Sequence, residues 1–433
     1  MSFLRFFKGA SSVSFASLLS VALIFATQVV LSRFLEPQEF GDFISCVAIL
    51  TIFSTFSTLG SDLSLLKKFG ISNKVGREYG VSVAKYTLMT SGISCLLMSI
   101  FFYFTSSSNL QYKLMLLPCI IAFAIWSVVN VVYQVQHRYS VLAVYQVLPA
   151  LLRLSVITLI FYSYDYLDFG YVIASYWAYN IAALILILFC AKSFYNLISG
   201  SIFDNEEIIS HYVNFRTVFI DSLPYSIAAV SFAIYAQNGL YSVNKYVGSH
   251  ESAAYGIALS FIFAIYVVPG VIYQKIILPK FHQWSNYNKP VLLKMLQLGN
   301  GAMLLLGVFF CLATLLFSNV FVDLFFGDKY LEAIHILHIL AFALPFRFMI
   351  SNLGALLSTG QNVKYKIFAM TLIVVACIIL NIYVAQFFGA KGVAYLFVIS
   401  EIAMFLAFMF IAQLKIYGVA VWLGWFKFRG QIK

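Results

Sequence analysis

Charge is what this chain has least of. Asp, Glu, Lys and Arg make up 10% of its 433 residues, while 62% are hydrophobic. A soluble domain carries about a quarter charged residues. A surface this poor in charge excludes a water-soluble enzyme and a disordered chain alike. Acidic residues are the scarcer sign, 16 against 27 basic. Cysteine is also sparse: Cys46, Cys95, Cys119, Cys190, Cys311 and Cys377 all fall in apolar stretches, without CxxC spacing. That pattern reads as small packing residues rather than a disulfide or zinc framework. There is no GxxxxGK[ST] phosphate loop and no long polar segment for a soluble domain, so the sequence carries no ATPase of its own.

Long runs free of charge are what the chain has in quantity. A helix needs about 20 apolar residues to cross a hydrocarbon core. Nine runs are uninterrupted: 9–32, 43–61, 86–112, 114–137, 169–191, 222–244, 252–274, 295–322 and 367–390. Three more are broken once, 139–164 by Arg153, 333–363 by Arg347 and 392–414 by Glu401. The pattern predicts an all-α polytopic membrane protein of twelve transmembrane helices. Transmembrane β-strands would be about 10 residues long and alternating. The first run is 24 residues long, beyond a signal-peptide core, and is read as a retained helix.

Basic residues set the orientation, since they stay on the cytoplasmic side. With the N-terminus inside, the outer segments carry only Arg33, Lys113, Lys245, Lys329 and Lys391, two arginines lie within spans, and the other twenty of 27 face the cytoplasm. Both termini are therefore expected inside. The net charge of +11 is accounted for by topology and anionic headgroups; nucleic acid is not implied. The longest loops are expected at 62–80, 192–213 and 275–294. Residues 196–213, with Asp204, Glu206 and Glu207, read as an amphipathic cytoplasmic linker between an N-terminal lobe (1–195, helices one to six) and a C-terminal lobe (214–433, helices seven to twelve). Glycines recurring at Gly41 and Gly256, and at Gly170 and Gly392, echo between the halves. An even six spans per half gives a parallel repeat, which places substrate between the halves near mid-membrane.

Four segments resemble one family. Leu31-Ser32-Arg33-Phe34-Leu35-Glu36-Pro37-Gln38-Glu39-Phe40-Gly41 is similar to the first-loop signature of O-antigen (Wzx-type) polysaccharide repeat-unit flippases, members of the multidrug/oligosaccharidyl-lipid/polysaccharide exporter superfamily. Phe325-Phe326-Gly327-Asp328-Lys329-Tyr330 with Ala333 resembles the approach to their helix ten. Ser358-Thr359-Gly360-Gln361-Asn362 resembles the turn after it. Gly389-Ala390-Lys391-Gly392-Val393-Ala394 with Ser400-Glu401 resembles the approach to helix twelve. The resemblance implies two six-helix lobes around a central cavity. It also implies a flippase carrying undecaprenyl-pyrophosphate-linked oligosaccharide from the cytoplasmic to the periplasmic leaflet of the bacterial inner membrane. Lipid II flippases of the superfamily present arginines from helices one, two and eight. This chain has none there except Arg33 at the end of helix one, which points away from lipid II as cargo.

Charges within spans are the sharpest candidates, because each costs about 2.5–3.5 kcal/mol to insert. Arg153 and Arg347 suit pyrophosphate or sugar hydroxyls, since a guanidinium donates paired hydrogen bonds. Glu401, and Asp221 just before Pro224, are candidates for a coupling ion. Each also has a plain alternative as a salt-bridge partner between helices. Thr51, Thr55, Thr58 and Asp62 fall on one helical face, and Trp126, Asn130 and Gln134 are four apart. These polar stripes match sugars or, equally, interhelical hydrogen bonds. Tyr225, Tyr176 and Trp177 are candidates for sugar stacking, against an ordinary place in interfacial belts. His335 and His338 read as interfacial histidines.

No cofactor is expected, only H+ or Na+ as coupling ion. The expected partners are the lipid-linked oligosaccharide, membrane lipids, and the polysaccharide polymerase and chain-length machinery, with the carrier itself a monomer. The competing readings are a drug/cation antiporter on the same fold and a membrane-embedded polysaccharide polymerase or ligase. The first would favour an acidic cavity. The second would need a sizeable catalytic loop.

Overall fold

The computed structural model describes residues 3–105, 109–163, 169–199, 213–359 and 362–426. Among them the chain is helical throughout, with no strand. Among the described residues nine helical stretches are long and apolar enough to cross a membrane, and ten if the bent pair Glu332–Ala341 and Leu344–Leu357 counts as one span. The order is α1 (Phe3–Phe34), α2 (Pro37–Thr58), α3 (Ser61–Ile71), α4 (Asn73–Thr105), α5 (Leu110–Leu114), α6 (Leu117–Val135), α7 (Tyr139–Ser163), α8 (Phe169–Ala174), α9 (Trp177–Ser199), α10 (Phe215–Tyr246), α11 (Ser249–Gly270), α12 (Leu278–Tyr287), α13 (Lys289–Phe326), α14 (Glu332–Ala341), α15 (Leu344–Leu357) and α16 (Val363–Ala412). Apolar side chains exposed on these helices, such as Leu88, Phe104, Leu316 and Phe387, suit a hydrocarbon solvent.

Several segments read as loops are helical. Residues 62–80 form α3 and the start of α4, and 275–294 hold the end of a π-helical turn (Val271–Ile277), α12 and the start of α13. The reason is local. Pro279 and Pro290 sit in first turns, where a missing N–H costs nothing, and the side chain of Asn288 accepts from the backbone N–H of Val291 to cap α13. The expected amphipathic linker falls mostly on 200–212, outside the described residues.

Breaks in the helices follow chemistry that the sequence partly displays. Pro118 and Pro345 each stand in the first turn of the helix after a break, α6 and α15. Each proline removes one backbone donor from its helix start. Residues 363–412 are two helices meeting at Gly389, whose φ of 65° is open to glycine at little cost. Pro149 and Pro224 lie inside α7 and α10.

The chain divides into two compact units, residues 1–35 with 45–237, and residues 36–44 with 238–433. In the first, α1 packs along α7 with Ser17 and Ser20 bonded to Gln146. A core of Leu65, Phe69, Tyr79, Val83, Tyr86, Val132 and Val218 joins α3, α4, α6 and α10. In the second, the start of α2 docks on the tip of α11. A Cβ on Gly41 would lie 1.7 Å from the backbone oxygen of Ser249, so only glycine fits this approach. Asp42 accepts hydrogen bonds from Ser249 Oγ at 2.6 Å and Asn244 Nδ2 at 3.1 Å. Phe40 meets Tyr330 edge-on, and Lys329 pairs with Glu36 at 3.4 Å. The two motifs containing Glu36–Gly41 and Phe325–Tyr330 thus meet within one unit.

Candidate functional site

Three charged clusters stand out, one in the second unit and two in the first. Glu401, on the second half of α16, is 0% exposed. Arg347 Nη1, on α15, lies 3.7 Å from its Oε1. Tyr266 of α11 reaches the same oxygen with its hydroxyl at 3.5 Å, and the Arg347 guanidinium lies 5.1 Å from the Tyr266 ring centre. Each group satisfies another: the carboxylate offsets the guanidinium, and the aromatic face adds a cation–π contact. A lone charge here would be strongly unfavourable. The helix carrying Arg347 is itself anchored, because Lys366 Nζ donates to the Gly354 carbonyl at 3.1 Å and to Ser358 Oγ at 2.8 Å at its C-terminal end. A cation at a helix C-terminus meets the negative end of the dipole.

The second cluster centres on Arg153, which is 4% exposed. Its guanidinium lies 3.8 Å from the Tyr176 ring centre. Tyr176 stands at the break between α8 and α9. There its carbonyl is met by Cys119 Sγ at 3.5 Å, and Asn180 lies beside the same sulfur. Arg153 therefore sits against an aromatic face and an interrupted helix, where a cation is favoured.

The third cluster holds Asp221, near the start of α10. Its Oδ2 is 2.7 Å from Lys68 Nζ and accepts the Tyr79 hydroxyl at 2.6 Å. Lys68 lies 4.4 Å from the Tyr79 ring centre, and Lys67 5.9 Å from that of Tyr225.

The remaining residues singled out from the sequence do not gather with these charges. Asp62 is half-buried in the first turn of α3. The stripe from Thr51 to Asp62 is not one face of one helix, because Leu59 and Gly60 take left-handed φ values of 40° and 68° and separate α2 from α3. Trp126 packs against the apolar core of the first unit. Asn130 keeps a buried Oδ1 without a hydrogen-bond partner, and Gln134 faces outward. Trp177 is exposed, and His338 bonds Ser318 at 2.6 Å. Tyr266, Lys68, Tyr79 and Lys366 were missed as site residues. The two lysines look topological in sequence, and the two tyrosines are lost among 28. Among the described residues no group of His, Cys, Asp and Glu could hold a metal ion.

This architecture is shared by known membrane transporters. A solved structure described as "Lipid II flippase MurJ, inward closed conformation" is similar at TM-score 0.68 and 16% identity, over 92% of this chain and 86% of that one. An inward-facing multidrug resistance MATE family transporter of the MOP superfamily is similar at TM-score 0.58 and 17% identity, over 90% and 93%. The fold is thus that of the multidrug/oligosaccharidyl-lipid/polysaccharide exporters. The profile of the family described as "Polysaccharide biosynthesis protein" matches residues 6–285, well over half of the chain, and the chain belongs to that family. Among curated proteins none matches it.

Proposed function

We propose that the protein is a flippase of polysaccharide biosynthesis. It carries an undecaprenyl-pyrophosphate-linked oligosaccharide, an O-antigen or related repeat unit, from the cytoplasmic to the periplasmic leaflet of the bacterial inner membrane. It works by alternating access as a monomer of twelve spans with both termini cytoplasmic. The family match over residues 6–285 carries this reading, and the flippase fold supports it. In this scheme Arg153 and Arg347 supply positive charge for the pyrophosphate, and polar side chains such as Asn130 meet sugar hydroxyls. Glu401 exchanges its Arg347 partner for a coupling ion, H+ or Na+. Desolvation makes such a carboxylate costly to leave charged once the arginine turns to substrate. Polymerase and chain-length proteins then consume the product outside.

The excess of positive over negative buried charge, Arg77, Arg153 and Arg347 against Glu401, favours an anionic cargo over the cationic drugs of an antiporter. The test is deletion and complementation in the host. Loss of the gene should halt surface polysaccharide and leave lipid-linked repeat units in the cytoplasmic leaflet. Normal surface polysaccharide would exclude the reading.

A further inference from the structure

The Asp221 cluster has a composition that a purely structural bridge does not need. One carboxylate faces two lysines, Lys68 in direct contact and Lys67 beside Tyr225 on the same helix turn. The bridge is open to water, with side-chain exposures of 18% for Lys68 and 32% for Asp221. One turn along α3 from Lys68, the Ser64 hydroxyl is buried without a hydrogen-bond partner, and so is that of Ser222 next to Asp221. Two orphaned donors beside a cluster of net positive charge are suited to acceptor-rich oxygens. Pro224 lies inside α10 three residues beyond Asp221. It leaves the Ile220 carbonyl without its helical donor and makes the first two turns of α10 easy to swing. What ties those turns to the rest of the first unit is Asp221 itself, with the Phe215 ring beside Tyr86 and Val218 in the apolar core.

We infer that Lys67 and Lys68 form a receiving site for a lipid pyrophosphate headgroup, and that Asp221 is its resting counter-ion, displaced when the headgroup binds. This rests on the flippase reading and adds a step to it. A pyrophosphate offers more charge and more acceptors than a carboxylate, so the lysines exchange one anion for a stronger one. A part-exposed bridge is weak enough to be exchanged. Asp221 turns to solvent, and the start of α10 is released from α3.

The test uses the full chain in nanodiscs, with undecaprenyl pyrophosphate as probe, and undecaprenol, inorganic pyrophosphate and phosphatidylglycerol as comparisons. Hydrogen exchange over residues 215–223 and binding affinity are read together. Undecaprenyl pyrophosphate should raise exchange there, and the three comparisons should not. Asp221→Asn should bind the probe about tenfold more tightly, because a competing like charge is gone, and should exchange fast before any ligand is added. Tyr79→Phe, which loosens Asp221 without touching charge, should shift both readouts the same way by less. Lys68→Gln should abolish the response. Unchanged or weaker binding by both Asp221→Asn and Tyr79→Phe would overturn the inference. An equal response to inorganic pyrophosphate or phosphatidylglycerol would also overturn it, by showing a general anion site. Flipping measured in parallel keeps the two claims apart. A chain that flips without this exchange loses only the counter-ion step, and one that shows the exchange without flipping loses only the flippase reading.

Discussion

Arg347 and Glu401 lie 3.7 Å apart, on helices α15 and α16, and share Tyr266 as a third partner. Neither residue is near the other in sequence, yet each lowers the cost of burying the other. The pair sets opposite charges on two helices of the second unit against each other, and substitution of either partner reads what that contact contributes.

Glu401→Gln keeps the shape and removes the charge, leaving the half-buried Arg347 against an amide. It should destabilise the protein by about 3 kcal/mol, and Glu401→Gln with Arg347→Gln should recover most of that loss. Thermal unfolding in detergent measures both. If the single variant is as stable as the parent, the pair does not hold these helices together.

Arg153 stacks on the Tyr176 ring, and that contact is open to its own test. Arg153→Lys keeps the cation but loses the planar stack, and Tyr176→Leu keeps the bulk but loses the π face. Each should cost about 0.5–2 kcal/mol, and the two together little more than one alone. A double-mutant cycle on unfolding would read additive losses if the stack has no energetic weight.

Gly41→Ala should be poorly tolerated although it adds one methyl group. Its Cβ would meet the Ser249 backbone oxygen at 1.7 Å, and a backbone atom moves only with its helix. A loss of about 1–3 kcal/mol is expected from such overpacking, seen as a lower unfolding temperature. Gly70→Ala, with nothing within 4 Å of the added atom, is the control and should be near neutral.

The buried charges Arg153 and Glu401 and most helices were legible in the sequence, because hydrocarbon tolerates few alternatives to long apolar runs. The breaks near Pro118 and Pro345 also left a mark. The break at Leu59 and Gly60 left only one glycine within an apolar run, since a leucine at positive φ has no sequence signal. It is what separates Asp62 from the threonine stripe. Pairings were not legible either. The sequence leaves open which charge within a span meets Glu401, and the rotation of each helix about its axis brings Arg347 to it. Lys68 and Lys366 read as topological charges because their partners, Asp221 and the end of α15, are supplied by tertiary packing.

The proposed orientation rests on the distribution of basic residues and is open to direct measurement. Reporter fusions after Lys74 and Lys289 should report the cytoplasm, and those after Lys113 and Asp328 the periplasm. A cytoplasmic signal at Asp328 would contradict the twelve-span arrangement.

The central claim is tested most directly in proteoliposomes holding the purified protein and a labelled undecaprenyl-pyrophosphate-linked oligosaccharide. Access of an external sugar-modifying reagent to the inner-leaflet pool reports flipping. The account predicts protein-dependent exposure of that pool, accelerated by an imposed proton or sodium gradient, with the acceleration lost in Glu401→Gln. A pool that stays protected in the presence of folded protein, with or without a gradient, would contradict it.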